Sequence, residues 1–203
     1  MAPMDEITRT TTAILDGLRE GLKDPAHAEE WVRLDRRYRP LLIGVARRLG
    51  LGDADAADAA QEVLASFVRD FRAGRYDRER GRLRHWLLAF LRARVADAHR
   101  RRGRAGPSAP MPEEILDERT VADAWEEERR LTLLRAALEA LRARSRTDPR
   151  TIRVFELLYM HGLAPQAVAT ECSMSVEEVY VARSRVAARV RQEIRRLDEC
   201  WDD

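Results

Sequence analysis

Ala164–Leu197, APQAVATECSMSVEEVYVARSRVAARVRQEIRRL, reads as a helix, a tight turn and a second, longer helix. Val168, Cys172, Met174, Val179 and Ala182 fall where a helix-turn-helix needs apolar side chains between its helices, and Ala169 is small where they cross. Ser175 and Glu178 form an S-x-x-E capping box: the serine hydroxyl can accept from the Glu178 N–H while the carboxylate accepts from the Ser175 N–H. The outer face of the second helix then carries Tyr180, Arg183, Ser184 and Arg185, side chains able to reach base edges and phosphates in a major groove. Ser173 occupies the turn position where glycine is usual, and serine adopts φ > 0 less freely. Packing alone would explain a helical hairpin, but not this outer face.

Before this stretch the periodic segments also read as helices, separated by loops and a linker. With 203 residues, the chain has room for one or two domains. Charged residues make up 35% of it, yet the net charge is only +2, so bulk attraction to polyanions is excluded and local segregation matters instead. Lys23 is the only lysine; the other basic residues are arginines, which recognise phosphate and guanine through a planar fork. Cys172 and Cys200, with the scattered His27, His85, His99 and His161, make neither a disulfide framework nor a metal-ligand spacing. No cofactor is expected. The opening MAPMDEITRT lacks a basic segment followed by an apolar core, so no signal peptide is expected. The longest apolar runs are too short to cross a bilayer, and a cytoplasmic location is expected.

Taken in order, residues 1–25 form an extension with a short helix carrying Ile14, Leu15, Leu18 and Leu22 on one face, broken at Asp24-Pro25. The spacing of Trp31, Leu34, Tyr38, Leu41, Leu42, Val45 and Leu49 predicts a helix to Leu49, with a kink or boundary at Pro40. Asp53 or Asp55 can cap a helix over 54–71, whose apolar stripe is Val63, Leu64, Phe67, Val68 and Phe71. A polar loop over 72–82 leads into a helix over 83–102, buried through Leu83, Trp86, Leu87, Phe90, Leu91 and Val95. Its remaining positions are mostly Arg, opposed only by Asp97. Such a face repels itself unless phosphates neutralise it. Residues 103–128 read as a linker, first GRAGPSAPMP and then an acidic run over Glu113–Glu128. Helices follow over 131–144, where Leu131, Leu134, Leu138 and Leu141 align, and after the Asp148-Pro149 cap, where Ile152, Phe155, Leu158 and Tyr159 recur toward Gly162. No period-two alternation or hairpin turn predicts a strand. The expected fold is all-α: two small helical domains, 26–102 and 129–203, joined by a flexible acidic linker.

Three stretches in this order resemble a bacterial RNA polymerase sigma factor of the extracytoplasmic-function (ECF) type: YRPLLIGVARRLG at 38–50 with DAAQEVLASFVRDF at 58–71, DRERGRLRHWLLAFLRARVADAHRRR at 77–102, and the segment 157–197. The resemblance implies a sigma-two-like domain, a connector and a sigma-four-like helix-turn-helix domain. It implies that Asp58, Gln61 and Glu62 dock on the beta-prime coiled coil of core RNA polymerase. The loop at about 76–82 would capture a flipped base, and the following helix, with Arg82, Arg84, His85, Trp86, Arg92, Arg94, Arg100 and Arg101, would read and open the −10 element. Trp86 also lies on the apolar stripe, which favours a core role for it. Ser175, Glu178, Tyr180, Arg183, Ser184 and Arg185 would meet the −35 element, and Arg189 and Arg191 would reach phosphates or the beta flap. The acidic connector would thread toward the RNA path. Ala93 departs from the family, where many members have Asn. Such proteins are often held by an anti-sigma partner.

On this reading the chain is not an enzyme: no nucleophile–base pair, phosphate loop or metal cluster is visible. The alternative is a stand-alone helix-turn-helix regulator, which would usually be a dimer on a palindrome, whereas a sigma factor should be monomeric.

Overall fold

The computed structural model describes residues 11–21, 28–80, 82–105, 116–144 and 147–199. Among them the regular structure is entirely helical: α1 (Thr11–Gly21), α2 (Ala28–Arg48), α3 (Asp53–Arg72), a 3-10 turn (Arg78–Arg80), α4 (Leu83–Ala105), α5 (Glu118–Arg144), α6 (Pro149–Tyr159), α7 (Pro165–Cys172) and α8 (Val176–Glu199). Leu22, the Asp24-Pro25 break, linker residues 106–115 and Cys200 lie outside the described residues. The chain divides into two units, the first running to Thr132 and the second starting at Leu133.

In the first unit the periodic apolar residues turn inward. On α3, Val63, Leu64, Phe67 and Phe71 are buried; on α4, Leu83, Leu87, Leu91 and Val95 are. Phe67 is the hub. Its ring lies 5.5 Å from Phe71, 5.3 Å from Tyr76, 5.2 Å from Trp86 and 6.5 Å from Trp31, mostly edge-on. Tyr76 is therefore a core wedge between α3 and α4 rather than an open platform in the loop, while Gly74, at φ +67°, lets the chain turn toward it. The extension helix α1 joins the same core through Ile14, Leu15 and Leu18, and Thr11 Oγ1 lies 3.0 Å from the Tyr38 hydroxyl.

Two local expectations are corrected. Pro40 makes no boundary, since α2 runs through it from Ala28 to Arg48. Its ring sits on the exposed side, while Leu41, Leu42 and Val45 are fully buried and hold the helix across the lost hydrogen bond. Neither Asp53 nor Asp55 caps α3; the N-cap is Gly52 with extended backbone, and both aspartates lie in the first turn, where they complement the helix dipole.

The acidic run differs more. From Glu118 it is helix, and its first turns belong to the first unit. Val121, Trp125 and Glu128, three or four residues apart, are buried there. The Trp125 ring stacks 6.4 Å from Tyr38, and Glu128 pairs with Arg48 Nε at 3.1 Å. Acidic composition masks three inward-facing residues at helical spacing.

In the second unit, Val154 and Leu157 of α6 pack with Val168, Ala169 and Cys172 of α7 and Val179 and Ala182 of α8. Asp148 caps α6 by accepting from the Arg150 N–H at 2.9 Å, with Pro149 in the first turn. The α5 expectation shifts: Leu138 and Leu141 are buried, but Leu131 and Leu134 only half so, and Leu133 is buried. The turn after α7 is a Schellman motif. Ser173 lies at φ 50°, ψ 54°; its N–H donates to Thr170 O, and the Met174 N–H donates to Ala169 O at 2.9 Å. Arg150 braces this turn, donating from Nε to Cys172 O at 2.6 Å and from Nη2 to Ser173 O at 2.9 Å.

Serine in this left-handed conformation carries a steric cost of about 1 kcal/mol that glycine avoids. Ser173→Gly is expected to raise the unfolding free energy of the second unit by about 0.5–1 kcal/mol. Arg150→Ala, which strips two carbonyls of a charged donor, is expected to lower it by about 1–3 kcal/mol. Thermal and urea melts of the two variants check both signs.

Candidate nucleic-acid interface

In the second unit, Val179, Ala182, Val186, Val190 and Leu197 bury one side of α8. The register thereby turns Tyr180, Arg183, Ser184, Arg185, Arg189 and Arg191 outward, all exposed. The Arg183 guanidinium lies 5.2 Å above the Tyr180 ring, a cation–π contact that orients both side chains. Val181, at 48% exposure, adds an apolar contact that sequence reading missed because it lies off the buried stripe. Arg189 donates to Thr147 Oγ1, which ties it to the loop before α6.

Ser175 and Glu178 make the reciprocal capping box. The Ser175 N–H donates to Glu178 Oε2 at 2.7 Å, and the Glu178 N–H donates to Ser175 Oγ at 3.1 Å. Both side chains are thus committed to starting α8 where the turn ends.

In the first unit the α4 candidates separate into two faces. Arg84, His85 and Arg92 line a groove of about 450 Å³ with Leu88, closed on the far side by Glu118 and Val121 of α5. Arg84 reaches across it to Glu126 Oε1 at 2.5 Å. Trp86 and Arg94 lie on the face toward α3. Trp86, half-buried, stacks on Phe90 at 3.9 Å and meets Phe67 edge-on, a packing role. Arg94 pairs with Glu62 Oε2 at 3.2 Å and lies 3.8 Å from Asp97. Arg100 also pairs with Asp97, while Arg82 and Arg101 are exposed.

On α3, Asp58, Gln61 and Glu62 are all exposed, as burial of the Val63–Phe67 stripe requires. Gln61 lines an apolar groove of about 360 Å³ with Trp31, Val32, Asp35, Arg39 and Leu64. Val32 is 45% exposed there, an apolar residue off the α2 stripe that could have marked the groove in sequence. Arg39 holds Asp35 through both nitrogens at 2.6–3.1 Å. That hydrogen bonding raises the Arg39 pKa above its ordinary value, partial burial opposes it and the Asp35 charge adds to it, so the guanidinium stays charged at every working pH.

The arrangement supplies a basic, partly aromatic helix beside a polar helix face in one unit, and a capped helix with outward arginines in the other. Cationic and aromatic side chains are thereby presented at the surface of each unit. Among the described residues no group of His, Cys, Asp and Glu is placed to hold a metal ion, and no helix is long and apolar enough to cross a membrane.

Residues 34–105, from within α2 to the end of α4, match the family model described as Sigma-70 region 2. No curated protein matches the chain. That segment, α2 through α4, is what the chain shares with Sigma-70 region 2.

Ser175→Ala is expected to cost about 1 kcal/mol of second-unit stability, because α8 then loses one half of its cap. A thermal melt checks it, and Ser175→Asp should recover most of the loss.

Proposed function

We propose that the chain is a promoter-specificity sigma factor of the ECF type, acting with core polymerase in the cytoplasm. The observation that carries this reading is the region 2 match over α2–α4, within which the exposed residues Asp58, Gln61 and Glu62 stand beside the arginine-bearing helix α4. In this reading the α3 face and its apolar groove receive the beta-prime coiled coil. Arg84, His85 and Arg92 line the path of the −10 strand, with Arg82, Arg100 and Arg101 on its phosphates. Arg94, held by Glu62, positions α4 against α3. Arginine on the backbone and stacking of unpaired bases offset the cost of opening the duplex.

The helix-turn-helix of α7 and α8 is assigned to the −35 element as duplex. Tyr180, Arg183, Ser184 and Arg185 make its contacts, and Ser175 and Glu178 set the approach angle of α8. Arg189 and Arg191 lie further along, in reach of phosphates or the beta flap. Chemistry belongs to the polymerase; this chain supplies selection of the start site and strand capture.

In vitro transcription tests the assignment: bacterial core polymerase and DNA from upstream of the chain's own gene, with start sites mapped. A start site that depends on the protein is expected. The absence of any protein-dependent start, together with no retention on core in a pull-down, would overturn the reading in favour of a free-standing regulator.

Arg183→Ala and Arg185→Ala are each expected to weaken −35 use by about 1–3 kcal/mol if bidentate to a base, read as promoter affinity of the assembled holoenzyme. Asp58→Ala and Gln61→Ala are expected to lower core affinity without loosening α4. Glu62→Ala should lower core affinity and also remove the Arg94 tie between α4 and α3, so its effect on promoter opening should exceed theirs.

A further inference from the structure

A glycine in mid-helix costs about 1 kcal/mol relative to alanine, so Gly44, in the fifth turn of α2 between buried Leu42 and Val45, needs a reason. The reason is Glu128. A Cβ on Gly44 would overlap Cγ, Cδ and Oε1 of that side chain, so a residue larger than glycine forces Glu128 out of its present position. Glu128 is 7% exposed, and its second oxygen is held by Arg48 at 3.1 Å. One helical turn earlier, Trp125 is 2% exposed and stacked on Tyr38. α2 therefore carries a shaped seat for the first turns of α5.

What the seat positions is charge. With Trp125 and Glu128 held, Glu126 meets Arg84 at 2.5 Å, and Glu118 stands across the groove from Arg84, His85 and Arg92. Carboxylates thus occupy the side from which a phosphate backbone would approach. The seat is also costly to keep. The Trp125 indole N–H and Arg84 Nε are buried with no hydrogen-bond partner among the described residues, and undocking would return both to water.

We propose that residues 118–128 are a detachable acidic cover for the basic groove of α4, seated on α2 by Trp125 and Glu128 and displaced when single-stranded nucleic acid enters. This rests on the reading that α4 carries nucleic acid. The cover competes for Arg84 with a local concentration no free anion matches, so it lowers the affinity of the isolated chain and rejects weak polyanions.

The test uses the full chain. Trp125→Ala removes the anchor and Gly44→Val fills the seat from the other side; neither touches the groove. Glu126→Gln removes one covering charge and leaves the seat intact. Amide hydrogen exchange reads docking of residues 118–128, circular dichroism reads retention of the fold, and fluorescence anisotropy reads binding of a labelled mixed-sequence single-stranded oligonucleotide at low salt.

Trp125→Ala and Gly44→Val are expected to speed exchange across 118–128 and to tighten oligonucleotide binding by about threefold or more; Glu126→Gln should tighten it less, with exchange unchanged. Adding Arg92→Ala should reverse the gain. Exchange in 118–128 that is already as fast in the unaltered chain as in the variants overturns the docked seat. Faster exchange with unchanged affinity, where affinity still depends on Arg92, overturns the cover alone. Affinity that depends on Arg92 in no background overturns the nucleic-acid reading of α4, and the cover with it.

Discussion

The packing of aromatic rings around Phe67 sets the geometry of the whole first unit. Half of the chain's aromatic residues gather there: Trp31, Phe67, Phe71, Tyr76, Trp86 and Phe90. They come from α2, α3, the following loop and α4, so one cluster fixes three helices and the path between two of them. Large rings in edge-on contact tolerate little rotation of a helix about its axis. Once Val63 and Phe67 point inward, Asp58, Gln61 and Glu62 must point outward. Once Leu87 and Leu91 are buried, His85 and Arg92 must share the opposite side of α4. The exposed faces are set by the register of the core rather than by any interaction of their own.

Ion pairs then sort the arginines that the core leaves at the surface. Arg84, Arg94 and Arg100 are each engaged by a carboxylate, whereas Arg82, Arg92 and Arg101 make no ion pair with a described residue. Each half-exposed pair contributes only about 0–1 kcal/mol to stability. Their consequence is directional instead. A paired guanidinium is aimed and can be exchanged to a phosphate at small cost, while an unpaired one is already available to long-range attraction.

Most of the fold was legible because its signals are local. The capping box at Ser175 and Glu178, the Asp148-Pro149 start and the α3 stripe are each local, and the structure reproduces them except that Val68 of the stripe is only half-buried. The readings that changed involve distant partners. Pro40 breaks helices by local rule, but three fully buried neighbours override it. The turn at Ser173 lacks its usual glycine, and the compensating residue, Arg150, lies more than twenty positions upstream. In the candidate site, exposure of α3 and α8 residues followed from periodicity alone. The split of α4 into two faces did not, since Trp86 and Arg94 are assigned by Phe67 and Glu62, and Arg84 by Glu126.

A chain with charged residues at 35% and a net charge of only +2 cannot hold a polyanion by its total charge. At physiological salt, attraction beyond about 8 Å is screened, so affinity depends on which arginines lie within that distance of a phosphate and which carboxylates do. The acidic stretch before Glu128 matters for this reason. By composition it is a solvated connector, and its charge would then be spread through water. Held as helix within the unit that bears α4, it keeps Glu126 at 2.5 Å from Arg84 and Glu118 on the lining of the groove that Arg84 and Arg92 share. The charge at that groove is therefore set by helix packing, to which the close approach of Glu128 to Gly44 belongs, and no average over the sequence reveals it.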